Sequence, residues 1–264
     1  MSSTDQFLYG YRAVRELLDS GNPVKQLWIE KGNVSPRKDA LLDACRERGI
    51  PVREKTRRFL DKILKSERHQ GIAATYVPRE RRVCFESGTP PRTGAYLCLY
   101  LDRIQDPLNL GAIVRSAEFF GVDQVFYPHR RGAPFNAAAV KASAGAGAHQ
   151  PPSRVLSPAG LFERFKRHGF HVVGTCPESG IPPERVDFSR DTVLVVGHEG
   201  DGISPRIRKY CDTFVRLAPL GHVASLNASA FTAVLLDRVR RFRQSSSRPA
   251  PPRVNNSVES SGAL

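Results

Sequence analysis

Five cysteines, Cys45, Cys84, Cys98, Cys176 and Cys211, are all that this chain of 264 residues carries, and none falls in a C-x-x-C pair or at His/Cys ligand spacing. The pattern argues against a structural zinc or a disulfide scaffold and fits a reducing compartment. No apolar run is long enough to span a membrane, and the opening residues, MSSTDQF, lack the apolar core of a secretory signal. They also do not form an Arg-rich amphipathic leader. The cytoplasm is the expected compartment, with the mitochondrial matrix left open for a protein whose leader has been removed.

Several chemical signatures are missing as well. Without G-x-x-x-x-G-K-[ST] there is no local support for nucleotide triphosphate hydrolysis, and no G-x-G-x-x-G fingerprint opens a dinucleotide-binding domain. There is no G-x-S-x-G elbow, the seven histidines are dispersed, and no ligand set clusters for a metal, so no metal is expected. Acidic residues are also scarce. The 26 Asp and Glu face 40 Lys and Arg, a formal charge of +14. Such an excess attracts polyanions at long range, which favours nucleic acid as partner, a ribosome-associated or merely basic surface being the alternative. Two stretches concentrate it. Residues 53–92 hold 11 Lys/Arg against 5 Asp/Glu, and 238–253 hold Arg238, Arg240, Arg241, Arg243, Arg248 and Arg253 with no acid. Both are candidate phosphate-contacting regions, the second equally a solvated tail.

What is present reads as alternating strands and helices. Ala13, Val14, Leu17 and Leu18 make the apolar stripe of a first helix, which Gly21-Asn22-Pro23 ends. VKQLWIE is a strand, 36–48 a helix, IPVRE a short strand, 56–66 a helix and GIAATYV a strand, together a small α/β domain expected over 1–78. Residues 79–94, charged and rich in Gly and Pro, are expected to be a linker. AYLCLYLD is nearly continuous in apolar residues, as strands buried on both faces of a parallel sheet are. A helix from Leu110 to Phe120, the strand VDQVFYP, a helix over 158–168, the strands FHVVGTC and DTVLVVG, a helix over 204–210, the strand TFVRLA and a long helix over 224–243 continue a parallel α/β domain, expected over 95–243. Residues 244–264, rich in Ser, Arg, Pro and Asn, have little to bury and are expected to be disordered.

Ligands of open parallel sheets meet the loops beyond the carboxyl ends of the strands. Three such segments carry polar groups. LDRIQDPLNLGAIVRSAEFFGV, at 101–122, offers Asp102, Gln105, Asp106 and Asn109, a Gly111 that permits close approach, and Arg115 on a helix. Arg115 either addresses phosphate or substrate, or is held by Asp102 or Glu118. VLVVGHEGDGI, at 193–203, has Gly197, Gly200 and Gly202 for tight backbone paths and Glu199 to cap amides or bind a polar ligand. LAPLGHVASLNASAF, at 217–231, has Ser225 or Asn227 as a helix cap, with Ser229 in the same neighbourhood. His198 and His222 lie in these loops, where a single histidine is as often an orienting residue as a base. Methyl transfer asks least of such a site, because the methyl arrives activated and the protein has to align and stabilise the acceptor oxygen.

In this order the three segments resemble the motifs of the SpoU/TrmH branch of the SPOUT methyltransferases, with N-x-G-x-x-x-R, G-x-E-G-x-G and S-L-N-x-S in place. KASAGA at 141–146 resembles a further family segment, and YGYRAV with HQGIAA at 69–74 resembles the ribosomal-protein-L30e-like substrate-binding domain of members that methylate guanosine in large-subunit rRNA. The resemblance implies an α/β fold, a SPOUT-type parallel sheet with a C-terminal trefoil knot behind a small L30e-like domain, and a homodimer. It implies an RNA 2'-O-ribose methyltransferase using S-adenosylmethionine on structured RNA, with tRNA or a noncatalytic RNA-binding role in ribosome assembly as alternatives. On the substrate and catalytic side it places Asn109, Arg115, Glu199, Asn227 and Ser229, with Arg115 either accepting the hydroxyl proton or stabilising the developing alkoxide. On the cofactor side it places Thr175, Gly197, Gly200, Leu217, Pro219, Ser225 and Leu226. Two departures stand out. APLGHVA replaces the proline-methionine loop of many relatives, and Ala228 and Ala230 reduce the volume of the third motif.

Overall fold

The structure, a computed structural model, describes residues 6–32, 35–64, 66–77, 83, 85, 94–222 and 225–246. The front part runs β1 (Gln6–Tyr9), α1 (Tyr11–Asp19), β2 (Val24–Glu30), α2 (Pro36–Glu47), β3 (Val52–Lys55), α3 (Arg57–Leu64) and β4 (Ile72–Tyr76). Its sheet has the order β1-β4-β2-β3, with β4 antiparallel to both neighbours and β2 parallel to β3. Being central, β4 is buried along its whole length. The α1 stripe of Ala13, Val14, Leu17 and Leu18 is buried as its spacing predicts, and α2 starts where the Ser35 side chain accepts from the Lys38 amide ahead of Pro36.

The second part runs β5 (Leu97–Leu101), α4 (Pro107–Phe119), β6 (Gln124–Pro128), α5 (Ala137–Ala142), α6 (Ala146–His149), β7 (Ser153–Val155), α7 (Pro158–Arg167), β8 (His171–Thr175), β9 (Thr192–Val196), α8 (Pro205–Arg208), β10 (Thr213–Val215) and α9 (Ala228–Ser246). Its six strands are all parallel, in the order β10-β8-β9-β5-β6-β7. Every residue of β5, β6, β8 and β9 is buried, as strands covered on both faces must be. On one face lie α4 and α9, around Ile113, Val114, Leu235 and Leu236; the other carries Phe162, Phe165 and Phe170 with Phe85 from the segment between the domains. From β5 the chain first builds outward through β6 and β7, then returns to lay β9 on the other side of β5. The order therefore reverses between β5 and β9, and the loops leaving these two strands face each other across a switch-point crevice.

The structure departs from the periodicity in places with clear causes. The helix expected from Leu110 begins at Pro107, because Asp106 caps it by accepting from the Leu108 amide. TFVRLA forms a strand only to Val215, and the helix expected from 224 starts at Ala228. Between them lie Pro219, which has no N–H to give to a ladder, and the cap Asn227, whose Oδ1 accepts from the Ser229 amide. The helix expected over 204–210 is the single turn of α8. Strands β1 and β7 and helices α5 and α6 were not predicted. Helix α9 runs three residues into the expected tail, and 247–264 lie outside the described residues, as do most of 79–93.

The arginines of 238–246 are not a free phosphate comb. Arg240 donates to the carbonyls of Phe120 and Gly121, Arg238 pairs with Glu184 at 3.1 Å, and Arg241 with Asp237 at 2.8 Å. Arg243 is spent most fully. Its guanidinium donates to the carbonyls of Phe188 (2.9 Å), Ala95 (2.7 Å), Tyr96 (2.9 Å) and Arg190 (3.2 Å), tying the end of α9 to the entrances of β5 and β9. Only a planar fork of donors can serve these acceptors together. Arg243→Ala is expected to destabilise the protein by about 2–3 kcal/mol, with Arg243→Lys restoring less than half. Urea midpoints at constant slope check this, and an unchanged midpoint for the alanine variant contradicts it.

Candidate active site

Two loops at the switch point are stitched together. As β5 ends, Asp102 accepts from the Ser204 amide at 2.6 Å and lies 3.7 Å from Arg103. Arg103, at φ +63, reaches across to the Asp201 carboxylate and the Gly202 carbonyl, each at 3.3 Å. After β9 the chain turns back on itself through paired backbone bonds between His198 and Gly202, and the His198 Nδ1 accepts from the amides of Gly200 and Asp201. His198 thereby organises the turn, with its ring nitrogen occupied by two amides. Gly197 is required here. A Cβ on it would stand 2.3 Å from the Gly202 carbonyl carbon, so two backbones meet where no side chain fits.

Across this crevice the polar residues of the three segments join in one chain of hydrogen bonds. The Ser229 hydroxyl donates to Asn227 Oδ1 at 2.6 Å, Asn227 Nδ2 donates to Asn109 Oδ1 at 2.9 Å, and Asn109 Nδ2 donates to Glu199 Oε1 at 2.7 Å. Each amide is thus fixed by a donor on one side and an acceptor on the other, and the run ends on a carboxylate. The start of α4, the β9 turn and the start of α9 are held in mutual register by side chains alone.

Arg115 stands apart. It is exposed on α4, and among the described residues it has no hydrogen-bond or ion-pair partner. The reading in which Asp102 or Glu118 holds it therefore fails, since Asp102 is engaged by Ser204 and Arg103. A guanidinium with five unspent donors remains on α4, the helix that also carries Asn109.

The other named positions lie along the segments that follow β8, β9 and β10. Thr175 is buried at the exit of β8, Gly200 lies in the β9 turn, and Leu217 is half-buried just past β10. Pro219, Ser225 and Leu226 are exposed, Leu226 to 51%. Among the described residues, the amides of Leu217, Ala218, Leu220, Gly221 and His222 make no backbone hydrogen bond. Apolar surface beside unspent backbone donors and acceptors fits a nucleoside, whose base needs both. Among the described residues, no hydrogen bond joins Thr175 or Pro219 to the polar run.

Other contributors were not anticipated. The segment after β8 closes against β10: Ile181 bridges Val215 in parallel, Arg216 donates to the Ile181 carbonyl at 3.0 Å, and a Cβ on Gly180 would meet the Val215 carbonyl carbon at 2.4 Å. Strand β10 is thus clasped on both edges. Cys176 follows Thr175; burial opposes its ionisation, but hydrogen bonds from Ser179 and Arg208 outweigh that and hold the thiol below its ordinary value. The glycine in SGI at 179–181 and the unusual left-handed Arg103 were the signals, neither distinctive without the fold. Among the described residues no three His, Cys, Asp or Glu side chains gather as metal ligands, and no helix is long and apolar enough to cross a membrane.

A six-stranded parallel sheet with polar loops at its switch point, joined to a small second sheet, is the architecture of a ligand-binding α/β domain with an accessory domain. Residues 96–237 match the SpoU rRNA Methylase family, and residues 7–82 match the RNA 2'-O ribose methyltransferase substrate binding family. The chain belongs to the SpoU rRNA methylase family and is an RNA 2'-O-methyltransferase. It is 36% identical over 239 residues to the 23S rRNA (guanosine-2'-O-)-methyltransferase RlmB of Pseudomonas aeruginosa, covering 89% of this chain and 96% of that protein. A TrmH family tRNA/rRNA methyltransferase of Staphylococcus haemolyticus is 31% identical over 241 residues, covering 90% and 96%. Among solved structures, the SpoU methyltransferase AviRb of Streptomyces viridochromogenes, in complex with AdoMet, superposes with a TM-score of 0.77 at 24% identity over 92% of each chain, a likeness of fold.

Gly197→Ala forces the Gly202 backbone away from the end of β9. It is expected to cost about 1–3 kcal/mol of stability and to weaken cofactor binding in calorimetric titration. Wild-type stability and binding together would count against the close approach.

Proposed function

We propose that this enzyme methylates the ribose 2'-hydroxyl of a guanosine in large-subunit rRNA. The observation that carries the catalytic part is the hydrogen-bonded run from Ser229 to Glu199, with Arg115, unpartnered among the described residues, on the helix that carries Asn109. The rRNA part is supported by likeness to RlmB along nearly the whole of both chains, front domain included. Methylation of tRNA is the second reading, favoured by the description of the staphylococcal relative as a tRNA/rRNA methyltransferase.

The cofactor is S-adenosylmethionine, which when bound supplies a methyl group already activated on a sulfonium. Thr175, Gly197, Gly200, Leu217, Pro219, Ser225 and Leu226 would hold it, through the backbone of the β9 turn and of 217–222 and the two leucine faces. Once bound, the cofactor would give up its methyl to the ribose oxygen and leave as the neutral thioether, and the hydroxyl proton would pass to solvent or to a neighbouring RNA phosphate. Arg115 keeps its own proton and points N–H donors at the oxygen as negative charge grows there. Asn109, fixed between Asn227 and Glu199, orients the acceptor ribose. Glu199 and Ser229 anchor the two ends of that run. The clasp of β10 between β8 and Ile181 supports a trefoil crossing, and the exposed Leu108 and Phe119 on α4 support a homodimer. We place the reaction in the cytoplasm.

Incubation with radiolabelled cofactor and separate rRNA and tRNA pools, followed by mapping of the nuclease-resistant ribose, tests the substrate. Label in large-subunit rRNA guanosine is expected; label confined to tRNA overturns the rRNA reading. Arg115→Ala is expected to slow single-turnover transfer about 10²–10³-fold, leaving cofactor affinity unchanged within about twofold. A wild-type rate in that variant removes Arg115 from the chemistry.

A further inference from the structure

The two domains share a packed joint. Val140 and Ala148 of the catalytic part are buried in the same cluster as Leu8, Val14 and Leu17 of the front part. His149 Nε2 lies 2.7 Å from a Glu16 carboxylate oxygen, and Asn22 donates to the Ala148 carbonyl. Gly145, at φ +99, has no room for a side chain, because a Cβ there would meet Glu16 at 2.5 Å. The KASAGA segment is therefore the docking surface for α1.

Lys141 of that segment stands at the rim of the joint. Its Nζ lies 5.5 Å from the ring centroid of Tyr9, at the end of β1. Burial, and after it the charge of Arg68, holds the Lys141 ammonium below its ordinary value. Arg68 comes from a loop that is firmly built. His69 within it is fully buried, with Nε2 2.8 Å from Asp61 and Nδ1 accepting from the Gly71 amide, while Gln70, at φ +56, accepts from the Tyr11 amide at 3.1 Å. Both cations are exposed, and among the described residues neither has an ion-pair partner. Of the acids in this neighbourhood Asp61 is engaged by His69 and Glu16 by His149, and the exposed Glu67, which precedes Arg68, makes no ion pair with it. Lys141 over Tyr9 and the Arg68 loop tied to Tyr11 through Gln70 bring two cations to one rim of the joint, and an anion that binds both relieves their repulsion.

We propose that Lys141 and Arg68 form a phosphate clamp at the domain joint, with Tyr9 as its wall, which grips the RNA backbone as the strand passes from the front domain to the active site. The route is short. Helix α5 bears Lys141 and crosses α4 in backbone contact, a Cβ on Gly111 falling 2.1 Å from the Ala139 carbonyl oxygen, and α4 bears Arg115. The clamp rests on the reading of the substrate as RNA, and it assigns the joint itself a share of substrate binding.

The test is equilibrium binding of a labelled large-subunit rRNA transcript to the full-length protein across a salt series. Lys141→Gln and Arg68→Gln are each expected to weaken binding about tenfold at low salt and to flatten the salt dependence by about one ion. Because both act on one phosphate, the double variant is expected to fall short of the product of the two. Lys141→Arg is expected to retain binding, and melting temperature and cofactor affinity are expected to stay at wild-type values in every variant. Unchanged affinity and salt slope in the single variants, with wild-type protein binding normally, overturns the clamp alone. Failure of wild-type protein to bind the transcript overturns the RNA reading together with the clamp.

Discussion

The hydrogen bond from Asn227 to Asn109, 2.9 Å long and spanning 118 residues of sequence, is the interaction on which the site depends. On one side of it Asn227 caps α9, so the same side chain sets both where that helix begins and where it points. On the other, Asn109 hands the constraint to Glu199 and so to the turn after β9. Three segments that would drift independently are thereby held as one surface, with Arg115 unspent on the helix that carries Asn109. A site that must align an oxygen with a carbon gains most from this kind of rigidity, since misplacement, more than missing chemistry, limits such reactions.

Around this bond the fold works as a set of close backbone approaches. Gly197 against Gly202, Gly180 against Val215 and Gly111 against Ala139 are all distances at which a methyl group would collide. Each brings a loop or helix of the site nearer than side chains allow. The arginines of α9 serve the same end by another means. Arg240 and Arg243 use their donors on backbone carbonyls, so much of the basic character that the sequence displays near its end is structural.

Much of the architecture was legible because it rests on local pattern. The buried runs of β5, β8 and β9 and the apolar stripe of α1 state their burial in their composition. Helices α5 and α6 were not legible. Their alanines and glycines carry no periodic stripe, and α5 exists because Asn136 caps it with bonds to the Ala138 and Ala139 amides and because Gly111 lets α4 lie against it. Strand β1 is four residues long and is defined by pairing with β4, a partner nearly seventy positions away. Within the site, polar residues at strand exits could be found from residue type and spacing. Their assignment as a methyl-transfer site came from resemblance, and their joining into one run is tertiary and written in no single segment. Asp106 shows the converse, a polar residue read as part of the site that serves as a helix cap.

The joining of the motifs is best measured by a double-mutant cycle on Asn109→Ala and Asn227→Ala, read as single-turnover methyl transfer to rRNA. If the two side chains act as one unit, the double variant is expected to be scarcely slower than the worse single variant, a coupling of about 1–3 kcal/mol. Effects that simply multiply would mean that the two asparagines act separately, and that the bond between them does not organise the site.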